Sequence, residues 1–243
     1  MSSARATYGQ SVGIVMQPDR ILRMPGDVGN ATTFPFPVRY EVVHGADPAH
    51  LKQPELARAA APLYVAAARA LEATGVRVIG TGCGYLSILQ RELQTAVAVP
   101  VVSSSLLQVP WVARTLPPGR RIGIITADSR ALTEAYFEPL GWSSCDVPVA
   151  VQGIEGEGEF LDLLVADRLE EGEIRSMHTA MARVARQLRD EHPAVGAIVL
   201  ECTNLPPFAS TIQRVAGVPV FDVTTLLGWV HAAAVRGAFE GYL

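Results

Sequence analysis

The stretch "VRVIGTGCGYLS", Val76–Ser87, joins an apolar run with the character of a buried strand to a glycine turn that carries a cysteine. Three readings compete for that turn: a phosphate cradle, an inert core thiol, or a thiol presented for chemistry at a strand end. Its echo decides the fold. Cys83 lies 17 residues before Pro100 of "VPVV", and Cys202 of "VGAIVLECTNLPP" lies 17 residues before Pro219 of "VPVF". Gly13-Ile14-Val15 likewise matches Gly123-Ile124-Ile125 as the opening strand of each half. Strand, cysteine, helix and Val-Pro strand thus recur in order, which points to an internal duplication.

Between these landmarks strands and helices alternate. "SVGIVM" predicts a strand, "PELARAAAPLYVAAARALEATG" a helix, "VRVIGT" a strand, "YLSILQRELQTA" a helix and "VPVVSSS" a strand. The second half repeats the plan with "RRIGIIT", a helix from about Ser129 to Pro139, "DVPVAVQ", a long helix over "EIRSMHTAMARVARQLRDEH", then "VGAIVLEC" and "VPVFDVT". Such alternation implies α/β architecture with parallel sheets. In the long helix Ile174, Met177, Met181, Val184 and Leu188 recur at intervals of three and four, marking one core-facing stripe. The expected organisation is two pseudo-symmetric α/β lobes, 1–113 plus 221–243 and 114–220. Because parallel sheets place their sites outside the carboxyl ends of the strands, facing lobes would set Cys83 and Cys202 on opposite walls of one interlobe cleft.

Composition narrows the partners. The 243-residue chain is 49% apolar, yet it has no run of the ~18–20 uncharged residues that a membrane span requires, and "MSSARATYGQ" lacks the apolar core of a signal peptide. The expectation is a soluble cytoplasmic protein. A formal charge of −4 and the lack of a basic stripe interleaved with aromatics argue against nucleic acid. Three cysteines, an odd number, point to free thiols rather than a disulfide framework. His44, His50, His178, His192 and His231 are scattered without ligand spacing, so no metal is expected. His178 falls on the apolar side of its helix, a core position, and the acidic "EGEGEF", Glu155–Phe160, reads as a solvated loop.

The phosphate cradle fits poorly, because "GTGCG" matches neither the dinucleotide fingerprint nor the Walker loop. Burial as a small hydrophobe is the stronger alternative. Against it, Gly82 and Gly84 permit close backbone approach around Cys83, and Thr203 and Asn204 set polar groups beside Cys202. Pro206 and Pro207 suit a first helical turn, so Cys202 precedes a helix N-terminus that favours a thiolate or a bound carboxylate. Cys145 has no partner in the repeat and no expected catalytic role.

"GTGCGYL" and "LECTNLPP" on a duplicated frame resemble the aspartate/glutamate racemase superfamily, whose members include hydantoin racemases, maleate isomerases and arylmalonate decarboxylases. "RMPGDVGNATTFPFPVRYEVV", Arg23–Val43, is similar to the opening of a largely uncharacterised branch of it. The resemblance implies two flavodoxin-like lobes and a cofactor-independent, often dimeric enzyme with a small carboxylate-bearing substrate. It implies catalytic thiols at Cys83 and Cys202 flanking the substrate α-carbon, one removing and one delivering a proton. It also implies carboxylate-binding groups at Gly82, Gly84, Tyr85, Thr203 and Asn204, with further binding loops at Gln17 and at Thr126 and Asp128. Two departures stand out: Gly84-Tyr85 where glutamate racemases carry Asn-Thr, and Thr203-Asn204 where they carry Thr-His. The second removes a histidine beside Cys202 and leaves open whether Glu201 substitutes for it. The functional expectation is racemisation or epimerisation α to a carboxylate or carbonyl; the alternatives are a single-cysteine decarboxylase or isomerase, and a non-catalytic small-acid binding protein. The segment Arg23–Arg39 follows the first strand and begins at the site edge, so it is expected to act as a partial lid, with Arg23 contacting an anionic substrate.

Overall fold

The computed structural model describes residues 7–241. Two four-stranded, all-parallel sheets form its frame. The first contains β1 (Val12–Met16), β2 (Val38–Val42), β3 (Val78–Thr81) and β4 (Val101–Val102) in the order β2-β1-β3-β4. The second contains β5 (Arg121–Thr126), β6 (Val149–Gly153), β7 (Val195–Leu200) and β8 (Val220–Phe221) in the order β6-β5-β7-β8. The two orders are the same, and each cysteine turn follows the third strand of its half. The central strands are buried along nearly their whole length, as parallel strands covered on both faces must be.

Among the described residues eight α-helices cover the sheets: α1 (Pro54–Ala59), α2 (Ala61–Ala73), α3 (Gln90–Ala96), α4 (Val109–Thr115), α5 (Gly158–Leu164), α6 (Glu171–Glu191), α7 (Ala209–Ala216) and α8 (Val223–Ala234). The apolar stripe of α6 is core, with Met177, Met181, Val184 and Leu188 buried. One apolar cluster runs through both lobes, joining Val15 and Ile79 of the first sheet to Ile122, Ile124, Ala197 and Val199 of the second. The last helix, α8, returns to the first sheet, where Leu226 and Leu227 pack with Val12, Ile14, Val78 and Val102.

Four local expectations are corrected. The helix expected over 54–75 is broken at Ala60, where Pro62 opens the second piece. That over 85–96 begins as a 3-10 segment, Gly84–Leu89, and becomes α3 only at Gln90. Between Ser129 and Pro139 stand two 3-10 turns, Glu134–Tyr136 and Glu138–Leu140, instead of an α-helix. There Pro139 opens the second turn and Gly141, at φ 83°, closes it, while the adjacent Tyr136 and Phe137 are both buried. The acidic loop is short, since α5 begins at Gly158, and two of its carboxylates are engaged: Glu155 accepts from Ser129 Oγ, and Glu157 pairs with Arg183.

The segment Arg23–Arg39 contains the start of an unforeseen strand, β2, paired in parallel with β1. Before it the chain straps the second lobe. Gly26, at φ 101°, passes so close to Pro207 that a Cβ there would stand 2.9 Å from the Pro207 Cα. Further on, Phe36 stacks on His231 of α8 with ring centroids 3.8 Å apart.

Candidate active site

Both cysteines stand where a central strand ends. β3 runs out at Thr81, whose Oγ1 donates to the Ser103 carbonyl at 2.5 Å and the Cys83 carbonyl at 3.1 Å, fixing the turn. β7 runs out at Leu200, and Glu201 and Cys202 follow before the 3-10 segment Pro206–Phe208 and α7. The turns are tied across the lobes, since Thr203 Oγ1 donates to the Gly82 carbonyl at 2.7 Å. Cys83 and Cys202, both half-buried, line one cavity of about 160 Å³.

Gln17, Gly82, Gly84 and Tyr85 line that cavity, as do Thr203 and Asn204. Glu201, adjacent to Cys202, lines it too, as do Asp19 and Lys52, which no sequence motif marks. Thr126 and Asp128 stand behind the wall and reach it through Tyr85. The Tyr85 hydroxyl, on a ring only 3% exposed, donates to the Asp128 carbonyl at 2.9 Å, accepts from the Asp128 N–H at 3.2 Å, and lies 3.1 Å from Thr126 Oγ1.

Arg23, the expected contact of an anionic substrate, is engaged by two carboxylates. Its guanidinium is paired with Asp19 and, at 3.1 Å, with Asp27, and it does not line the cavity. Asp27 in turn accepts from Asn204 Nδ2 at 2.7 Å. That fixes the amide with its oxygen toward Cys202, whose thiol donates to Asn204 Oδ1 at 3.6 Å. Arg23, Asp27, Asn204 and Cys202 thus form one continuous chain of hydrogen bonds.

Glu201 is the most constrained group in the site. It is 1% exposed, Thr126 Oγ1 donates to its Oε2 at 2.7 Å, and its Oε1 has no hydrogen-bond partner among the described residues. A Cβ at position 84 would stand 2.2 Å from Glu201 Oε1 and equally close to the Glu201 carbonyl, so glycine is required there. Burial pushes the Glu201 carboxyl up to about 7, against the opposing pull of the Thr126 hydrogen bond and the Lys52 charge. Burial, and after it the Glu201 charge, also raises both thiols. The Cys202 thiol is pushed up to about 12 despite the Asn204 N–H, and Cys83 is raised further despite the Tyr85 N–H. Both shifts favour the protonated thiols.

Cys145 is exposed and lies outside the cavity. The His178 Nδ1 lies 2.8 Å from Thr211 Oγ1, and the ring packs edge-on against Phe208. Among the described residues no helix is long and apolar enough to cross a membrane.

The Asp/Glu/hydantoin racemase family model matches residues 108–230. A dimethylsulfoniopropionate lyase of Durusdinium sp. clade D is 31% identical over 224 residues, 87% of this chain and 71% of that protein. Dimethylsulfoniopropionate lyase 5 of Emiliania huxleyi is 26% identical over 96% of this chain, which spans only 46% of that longer relative. The fold is that of a glutamate racemase of Bacillus anthracis, with a TM-score of 0.60 at 14% identity, covering 91% of this chain and 81% of the other. It is equally that of unliganded arylmalonate decarboxylase, with a TM-score of 0.57 at 17% identity and 94% of each chain covered. Duplicated lobes, paired strand-end thiols and these matches agree that the chain belongs to the Asp/Glu/hydantoin racemase family.

Proposed function

We propose that the protein is a cofactor-independent lyase that removes the α-proton of a small carboxylate and expels a leaving group from the β-carbon, with a dialkylsulfonium propionate as substrate. The observation that carries this reading is the inequality of the two thiols. Each accepts the backbone N–H two residues on, but Cys202 directs its proton to Asn204 Oδ1, whereas Cys83 has no side-chain acceptor among the described residues and its turn faces Glu201 at Gly84. Paired but unequal acids suit a reaction that runs one way from one face of the substrate. The wall offers one cation, Lys52, for the carboxylate of a small substrate, and the Asp19 carboxylate, shared with Arg23, toward an onium group. A cavity of about 160 Å³ is well below the ~300–1,000 Å³ of sites for drug-sized ligands. The likeness to the Durusdinium lyase supports the sulfonium in particular.

In this reaction the Cys83 thiolate takes the α-proton. The Cα–H electron pair becomes the Cα=Cβ bond, the Cβ–S bond breaks, and its pair leaves with dimethyl sulfide, giving acrylate. Lys52 and the N–H groups of the two turns hold the carboxylate as charge spreads into it, and Cys202 closes the opposite face.

Incubation with dimethylsulfoniopropionate, followed by headspace dimethyl sulfide and proton NMR of acrylate, tests the reading. Equimolar products are expected, and their absence overturns it. Racemisation by both thiols is the second reading, favoured by their equivalent places in the repeat. Inversion of amino acids with α-deuterium uptake would establish it instead. The resemblance also carries forward a homodimer, to be checked by light scattering of the eluting species.

A further inference from the structure

We propose that Glu201 is the base that activates Cys83, taking the thiol proton on Oε1 so that the thiolate forms without adding charge to the cavity. The inference deepens the α-proton reading above and names the group that this reading requires. Three observations of geometry carry it. Glu201 is buried in the wall shared by the two thiols, and its Oε1 has no hydrogen-bond partner among the described residues. The other oxygen is held by Thr126, which Tyr85 buttresses in turn, so the carboxylate is fixed in orientation. Position 84 has no side chain, which leaves Oε1 facing the backbone of the Cys83 turn.

The step balances. The Cys83 S–H bond breaks and an O–H bond forms at Glu201, giving thiolate and carboxylic acid in place of thiol and carboxylate. A thiolate formed beside an ionised Glu201 would place two negative charges in one small cavity, and the transfer avoids this. Once the thiolate has taken the α-proton, Cys83 is a thiol again and Glu201 still holds the former thiol proton, which it releases to solvent to reset the site. Cys202 remains protonated on Asn204 throughout. The titratable groups sharing this environment are Cys83 and Tyr85 on the first turn, Cys202 on the second, Lys52 after the 3-10 segment it closes, and Asp19 beyond β1.

The test needs no substrate. In a Cys145→Ser background, alkylation of Cys83 by iodoacetamide is followed across pH by peptide mass spectrometry. If Glu201 accepts the thiol proton, the rate rises in two steps, the first as the carboxyl titrates near 7. Glu201→Gln should lose the first step, and its single remaining step should lie below the second step of the parent, because the neighbouring charge is gone. Glu201→Asp should restore a first step. A single step in the parent protein overturns the proposal without recourse to any variant. So does a Glu201→Gln protein that alkylates faster at every pH, since the carboxylate would then merely oppose the thiolate. With a turned-over substrate, Glu201→Gln should lose at least ~100-fold in rate, the usual scale for a general base, and an unchanged rate counts against the proposal. Two-step alkylation without turnover of any sulfonium propionate or amino acid would instead refute the reaction and leave the role of Glu201 standing.

Discussion

At position 84 a single missing side chain links the two halves of the site. The 2.2 Å approach to Glu201 Oε1 and to the Glu201 backbone carbonyl means that Gly84→Ala must displace the carboxylate and shift one of the two cysteine turns. The expected result is a folded protein with turnover reduced by ~100-fold or more, comparable to loss of the base itself; near-normal rates would show that the carboxylate can move freely. Arg23→Ala should act differently from loss of a substrate anchor. It frees Asp27 and hence Asn204, so kcat should fall by roughly tenfold, the scale of one charge-assisted hydrogen bond, with KM little changed; the reverse pattern would restore Arg23 as a direct contact. Linkage gives a further check on Glu201. Its native pKa, about 7, lies above the ordinary 4.5, so the native state binds the proton more tightly than the unfolded chain does. Stability from this group is therefore full below about 4.5, declines between there and about 7, and is lost above, by roughly 3 kcal/mol. Urea midpoints should show Glu201→Gln more stable than the parent at pH 8, with the gap closing toward pH 5. The cysteines were legible because the duplication repeats their spacing. Asp19, Asp27 and Lys52 were not, since only the fold carries them to the cavity or its buttress, whereas Glu201 was marked solely by adjacency to Cys202.

Among the elements, the same device recurs in both lobes. Gly13 on β1 lies against Leu71 of α2, and Gly123 on β5 lies against Leu188 of α6, so each central strand takes a leucine from its covering helix onto bare backbone. A Cβ at Gly123 would stand 2.8 Å from Leu188 Cδ2 and 3.1 Å from Val195 Cγ1, while one at Gly13 would meet Leu71 no closer than 3.0 Å. Gly123→Ala should thus cost about 1–3 kcal/mol through overpacking, and Gly13→Ala less, with turnover per folded molecule retained; denaturant midpoints and titration of active enzyme separate the two effects. These strands were readable because both of their faces are buried. β2 was not: Val38–Val42 is an edge strand of half-exposed residues, introduced by Pro35 and Pro37, without the apolar run that identifies its neighbours. The turns at 134–140 escaped for a related reason, since Tyr136 reaches across to donate to the Leu51 carbonyl at 2.8 Å, a contact that no local periodicity encodes.

At the scale of the whole molecule, α8 ties the second lobe's last strand back to the first sheet. Asp222 caps α8 by accepting from Thr224 and Thr225 N–H groups at 2.8 and 3.0 Å, and its own carbonyl accepts from Gln108 Nε2 at 2.9 Å. The cap aims α8 back over the first sheet, where Leu227 approaches so closely that a Cβ on Gly80 would stand 2.8 Å from its Cδ2. Gly80 is in β3, the strand that delivers Cys83, so a helix encoded at the far end of the sequence supports the floor of the site. Each lobe has an apolar cluster of its own, and a third cluster runs through both sheets and couples them. Leu227→Ala, a fully buried truncation, should cost about 2–5 kcal/mol, a large share of the 5–15 kcal/mol that holds a typical domain. Because the shared cluster couples the lobes, the loss should appear as one transition moved to lower temperature, with far-UV circular dichroism and tryptophan fluorescence from Trp111, Trp142 and Trp229 shifting together. Two separated transitions, with only the Trp111 and Trp229 signal displaced, would instead mean that the lobes fold independently and that α8 supports the first alone.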